Sequence, residues 1–220
     1  MKYIFSILFI ALAFNAFSQD NLQTRFEKTN GSETPEYHEI IQWWQALDKQ
    51  SAIVQMKEMG KTDSGLPLHL ILVSNNRNFD IPSLKKQGKR IILVNNGIHS
   101  GEPDGIDASM LLVRDIVAKK YKLPDNVVLA IIPVYNIGGS LNRSETYRVD
   151  QNGPESFGSR GNARNYDLNR DFIKNDSRNA RSFAEIFHYC DPDVFVDNHV
   201  SNGADYQHVM TLISTQHSKL

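Results

Sequence analysis

Three short apolar runs set the frame of this chain: Ile91-Ile92-Leu93-Val94, the stretch 127–135, and Val194-Phe195-Val196. Each reads as a buried central strand. Segments with helical spacing separate them. Ile40, Ile41, Trp43, Trp44 and Leu47 mark a helix over 36–50, Met110, Leu111, Val113, Ile116 and Val117 one over 106–121, and a third is expected over 176–189. Two further strands, 52–59 and 66–74, flank the turn Lys61-Thr62-Asp63-Ser64-Gly65, and a fourth central strand is expected at 208–214. Strands alternating with helices predict an α/β fold, a mixed, largely parallel sheet with helices on both faces. Residues 75–88 read as a polar loop. Residues 138–169 form a long, polar, glycine-containing connection. A loop of that length in a compact domain is functional or disordered.

The first segment differs from the rest. Lys2 precedes an apolar run over 3–14, followed by Ala16-Phe17-Ser18. That is a positive n-region, an apolar h-region and a small-x-small cleavage site, so 1–18 is expected to be a signal peptide and Gln19 the first mature residue. The run is short for a membrane span, so no stable membrane insertion is expected after cleavage, and the protein is expected to be exported, periplasmic or secreted. Residues 19–35 read as an extended polar leader, and 36–220 as one domain. Basic and acidic side chains number 24 and 25, which leaves no basic patch for nucleic acid. Cys190 is the lone cysteine, so no internal disulfide forms, and it reads as a small buried apolar residue.

Two polar clusters follow the strands directly. His99-Ser100-Gly101-Glu102 lies past the run ending at Val94, and Asp197-Asn198-His199 past the run ending at Val196. Ligands gather at the carboxyl ends of strands in open α/β sheets. His99, Glu102 and His199 together make a three-ligand zinc site with an open fourth position, which is the catalytic rather than the structural arrangement. Gly101 is expected to let the backbone fold tightly between His99 and Glu102. His188, within a predicted helix, and His208, opening a predicted strand, are lesser candidates for the third ligand. One zinc ion held this way lowers the pKa of a bound water and polarises a carbonyl, so metal-assisted hydrolysis is the expected chemistry.

The segment from Asn95 to Glu102 resembles the first zinc motif of the metallocarboxypeptidases of the carboxypeptidase A type, and the segment from Asp193 to His199 resembles their third-ligand strand. Between them, Arg160 is followed by Asp167-Leu168-Asn169-Arg170, similar to the family's substrate-binding segment. The resemblance implies a zinc carboxypeptidase-like α/β/α fold and a peptide or peptide-like substrate. It implies that Asn169 and Arg170 grip the substrate's terminal carboxylate. It implies that Arg160 stabilises the oxyanion, and that Asp167 holds the second ring nitrogen of His99.

Three departures accompany it. Gly101 stands where the digestive relatives carry an arginine. Asp171 stands where the pattern has asparagine, and is expected either to pair with Arg170 or to weaken its grip. The family's general-base glutamate and mobile tyrosine fall downstream of the third ligand, beyond Leu220, so the chain is expected to be the N-terminal portion of a larger catalytic domain and inactive alone. The expected function is zinc-dependent hydrolysis of C-terminal peptide bonds. The alternatives are a zinc amidase or deacylase on the same scaffold, and a non-catalytic module that holds zinc or peptide.

Overall fold

A computed structural model describes residues 22–201. The expected signal peptide at 1–18 and the expected strand at 208–214, with His208, lie outside the described residues.

The sheet has five strands among the described residues. In chain order these are β1 (Val54–Lys61), β2 (Pro67–Val73), β3 (Arg90–Asn95), β4 (Val127–Ile132) and β7 (Val194–Asp197), arranged in space β1-β2-β4-β3-β7. The hairpin β1–β2 joins β4 antiparallel, whereas β4, β3 and β7 run parallel, with Leu93 opposite both Ala130 and Phe195. The fold is therefore mixed α/β with a parallel core. Past its first residue, β2 is buried at every position, and so is β4. Side chains alternate between faces along a strand, so continuous burial means that both faces are covered.

Helices supply the cover. α2 (Tyr37–Gln50) buries Ile40, Trp43, Trp44 and Leu47 on one stripe, the pattern of an amphipathic helix against a core. α4 (Asp104–Val117) follows β3 and buries Ile106, Met110, Val113 and Ile116. α6 (Arg178–Cys190) packs on the hairpin and β3, burying Phe183, Ile186 and Cys190. Burial pushes the Cys190 thiol up to about 12, so it is a packing residue without nucleophilic character at neutral pH.

Three expectations need correction. The leader is not extended. Thr24 and Glu27 form a reciprocal capping box that opens α1 (Arg25–Lys28), and the indole of Trp43 donates to the Leu22 carbonyl at 2.9 Å. Within the predicted loop 75–88, Asp80 caps α3 (Ile81–Lys86) by accepting from the Ser83 amide at 3.0 Å. The stretch 138–169 is organised. It holds α5 (Ile137–Leu141), capped by Asn136, a two-residue ladder of β5 (Arg143–Ser144) with β6 (Phe157–Gly158), and the start of a 3-10 turn at Leu168–Arg170. Among the described residues β7 pairs with β3 alone, and Val194, Phe195 and Val196 are exposed there.

Candidate metal centre

The parallel pairing of β3 and β7 is what brings the two polar clusters together. Asn95 lies opposite Asp197, and its side-chain amide donates to Asp197 Oδ1 at 2.9 Å. One residue on, the Asn198 amide donates to the Asn95 carbonyl, and Asn198 Nδ2 donates to Asn96 Oδ1 at 2.7 Å. Both strand ends are thereby fixed side by side. The N-terminus of α4 presses on them so closely that a Cβ on Gly105 would stand 2.6 Å from both Asn198 Cβ and Asn96 Oδ1. Glycine is required there for close approach.

After β3 the chain makes one turn, with the Glu102 amide donating to the His99 carbonyl at 3.0 Å, and enters α4. That turn aims His99 and Glu102 at one point. His99 Nδ1 lies 3.2 Å from Glu102 Oε1, and His199 Nδ1 lies 2.9 Å from Glu102 Oε2. One ligand atom from each of the three residues falls within 4.8 Å of the others. Two ligands at ~2.1 Å from one tetrahedral ion stand roughly 3.4 Å apart, so the set has the spacing a single metal needs. The donor chemistry agrees: two imidazoles and a carboxylate.

The orientation of the rings agrees as well. Each histidine turns Nδ1 to the centre and Nε2 to an aspartate, His99 to Asp167 at 3.2 Å and His199 to Asp197 at 3.1 Å. Such carboxylate–imidazole pairs fix tautomer and ring direction for a metal ligand. The side chains of His99 and Glu102 are 3 % exposed and that of His199 is 34 % exposed, so the centre is walled on two sides and open on one. Burial pushes Glu102 up, but the bonds from His199 and His99 and the charge of Arg148 outweigh it and hold the carboxyl well below its usual range. Asp197 and Glu102 together raise His199 to about 9, against burial.

Two arginines stand at the same point. Arg160 places Nη1 3.3 Å from His99 Nδ1, while its Nε and Nη2 both meet Asp167 Oδ2 at 3.0 Å. Asn162 shapes the loop that carries it. Its Oδ1 accepts from the amides of Arg164 and Tyr166, both at 2.9 Å, and its Nδ2 donates to the buried carboxylate of Asp63 at 3.0 Å. Arg148 donates from Nη1 to Glu102 Oε1 at 2.8 Å. A Cβ on Gly101 would lie 2.7 Å from Arg148 Cδ, and the backbone at Gly101 is not left-handed. The absent side chain therefore makes room for Arg148 and for the Gly158 carbonyl, 2.9 Å from that position; the turn itself does not require a left-handed residue. Arg148 and Arg160 line a cavity of about 250 Å³ beside the centre.

Asn169 and Arg170 occupy the 3-10 turn that Asp167 caps, with the Asn169 amide donating to Asp167 Oδ1 at 3.0 Å. Arg170 is exposed, and among the described residues its guanidinium makes one hydrogen bond, to the Asn169 carbonyl at 2.9 Å. It does not reach the metal ligands. His188 is exposed on α6 and is not part of the cluster. Sequence reasoning missed Arg148 altogether, and it placed Asp197 in the polar cluster without its role as partner of His199. Asp197 carried a signal, since residues two apart on a strand share a face. Arg148 carried none, being 46 residues from Glu102 along the chain.

Asp171 neither pairs with Arg170 nor faces it. It is buried, accepting from the amides of Asp176 at 2.9 Å and Ser177 at 3.0 Å and from the Ser177 hydroxyl at 2.6 Å, and so holds the entry to α6. Burial pushes its carboxyl up, but the Ser177 hydroxyl and the two amides outweigh that and hold it below the ordinary value. A depressed carboxylate stabilises the fold above the unfolded-state pKa and loses that contribution as pH falls through the folded value. Asp171→Ala is expected to cost about 1–3 kcal/mol at neutral pH. The gap from wild type in urea denaturation should narrow as the pH drops below ~4. A gap independent of pH would show that the charge of Asp171 is irrelevant.

Comparison with known proteins places these features together. The zinc carboxypeptidase family matches residues 40–218. The chain is 25 % identical over 134 residues to "Probable carboxypeptidase 2" of Trichophyton verrucosum, covering 60 % of this chain and 22 % of that protein. Among solved structures it resembles a metallo-carboxypeptidase from Burkholderia cenocepacia (22 % identity, TM-score 0.55, covering 74 % of this chain and 40 % of that one). It likewise resembles the carboxypeptidase A of Helicoverpa armigera (18 % identity, TM-score 0.58, covering 76 % and 46 %). The chain thus spans about a fifth of the curated relative and less than half of either solved chain.

Proposed function

Because the chain belongs to the zinc carboxypeptidase family, we propose that His99, Glu102 and His199 hold one zinc ion in a site that cleaves C-terminal peptide bonds. The observation that carries this reading is the paired orientation of the two imidazoles, each with Nδ1 on the Glu102 carboxylate and Nε2 on an aspartate. Zinc there supplies Lewis acidity toward a carbonyl and a lowered pKa for water.

The chain's own residues have separate tasks. Arg160, aimed by Asp167, offers its guanidinium to the oxygen of the scissile carbonyl as charge develops. Asn169 and Arg170 take the substrate's terminal carboxylate. The inward turn of Asp171 supports that role, because it leaves Arg170 un-neutralised and exposed for an anion. The carboxylates bonded to the ligand set are all engaged: Glu102 as ligand, Asp167 with His99, Asp197 with His199. The proton that leaves the attacking water therefore needs a base other than these three.

The test is release of free amino acids by the full-length, zinc-loaded protein. Peptides with a free C-terminus should lose their last residue, and C-terminal amides of the same peptides should be cleaved far more slowly. Equal rates on acid and amide would favour the amidase reading and remove the carboxylate clamp.

A further inference from the structure

A second and larger cavity, about 570 Å³, lies beside the candidate centre: its lining residue Val200 donates its amide to Glu102 Oε2 at 3.3 Å. It begins at Pro103, the residue after Glu102, and at Val200, the residue after His199, and it shares Asp150 and Gln151 with the smaller cavity that holds Arg148 and Arg160. Its lining residues Pro103 and Val200 put it on the Glu102 and His199 side of the centre. Asn169 and Arg170 lie past the other ligand, on the turn capped by the Asp167 that holds His99. A peptide whose terminal carboxylate is held at Arg170 and whose last bond lies at the metal would run its upstream residues into this groove.

The groove has a distinct chemistry. Phe26 and Leu111 give it an apolar wall, and Asp104, Asp107 and Asp150 give it negative charge. Asp107 is 7 % exposed. Its Oδ2 accepts from the Thr34 hydroxyl at 2.7 Å, while its Oδ1 is buried and meets no protein donor. Buried acceptors are nearly always satisfied, so an orphaned carboxylate oxygen in the wall of a cavity points to a donor that the protein itself does not supply. Burial pushes Asp107 up to about 6, and the Thr34 bond and the charge of Arg143 only partly offset it. Arg143 itself donates to the carbonyls of Thr34, Pro35 and Ser156.

We propose that this groove binds a cationic group on an aliphatic stem, carried by the peptide upstream of the bond that is cut. The inference rests on the peptidase reading above. It makes Asp104 and Asp107 specificity-determining residues. The stem of a lysine or arginine lies along Phe26 and Leu111, as such stems do on apolar surface, and its head meets the carboxylates.

The test is calorimetric binding to the full-length, zinc-loaded protein. The probes are N-acetylated tetrapeptides whose last peptide bond is reduced to a methylene-amine, so that none can be hydrolysed. Lysine at one upstream position is compared with norleucine, its uncharged isostere, and an unacetylated norleucine peptide tests whether a terminal ammonium serves instead. Lysine, or the free ammonium, is expected to bind about tenfold tighter than acetylated norleucine. Asp107→Asn and Asp104→Asn should each cut that preference to less than about threefold. Asp104 is exposed, so its substitution does not threaten the fold, and Asp107→Asn keeps an acceptor for Thr34. Equal binding of lysine and norleucine peptides, or a preference that survives both substitutions, overturns the proposal and leaves the peptidase reading intact. Failure of every peptide to bind overturns both.

Discussion

His99→Ala lowers the affinity for zinc by at least about a hundredfold, whereas Asp197→Asn lowers it by ~10–100-fold. The second figure is the usual cost of losing a partner behind a ligand, and loss of a ligand itself exceeds it. The asymmetry follows from what each residue touches. His99 presents Nδ1 to the centre from a position 3 % exposed, so no nearby water or side chain can take its place without rearrangement. Asp197 acts on the metal only through His199 Nε2. Asn at that position keeps the hydrogen bond and loses the charge. The pH dependence has a definite sign. His199 is raised to about 9 by Asp197 and Glu102, so at neutral pH the metal-free imidazole is protonated, and zinc must displace that proton. Apparent affinity is then expected to fall roughly tenfold for each pH unit below ~9. Zinc titrations in buffers of different ionisation enthalpy read the proton release directly. Equal zinc content in wild type and His99→Ala after dialysis would sink the assignment of the centre.

The parts that were legible in the sequence are those set by local pattern. Ile40, Trp43, Trp44 and Leu47 repeat at helical spacing, and they form the buried stripe of α2. The run 91–94 lies within β3, and the polar cluster after it stands at the strand's carboxyl end, where the parallel neighbour delivers a second such cluster. Several errors arose where the deciding partner is far away in sequence. The leader looked extended because its own residues carry little apolar content. It folds because Trp43, Asp107 and Arg114 supply its partners. Asp171 looked like a threat to Arg170 because the two are adjacent, yet adjacent residues at a turn need not face alike, and Ser177 claims the carboxylate. Gly101 looked like a turn glycine, and its reason is the Gly158 carbonyl and the Arg148 side chain packed against it. For the leader and Gly101 a contact between distant segments decided, and for Asp171 a partner six residues on.

Arg160→Ala in the full-length protein is expected to lower turnover by ~10²–10³-fold, with little change in KM. Its Nε and Nη2 are both committed to Asp167 Oδ2, which leaves Nη1, 3.3 Å from His99 Nδ1, turned toward the candidate centre. A guanidinium held that way is preorganised, and it costs no reorientation when negative charge develops beside it. A group of this kind stabilises the transition state more than the ground state, so its loss appears in kcat. Arg170→Ala should do the reverse, raising KM for free-acid peptides while leaving amides unaffected, because a carboxylate grip is present before and during the reaction. Asp167→Asn makes a third comparison. It loosens both Arg160 and His99, so it should lower turnover and zinc affinity together. Arg160→Lys separates charge from geometry: an ammonium cannot bond to Asp167 and face the centre from one rigid plane, so it should recover only a small part of the lost rate. A raised KM with unchanged kcat in Arg160→Ala would place this arginine among the substrate-holding groups and take it out of the chemistry.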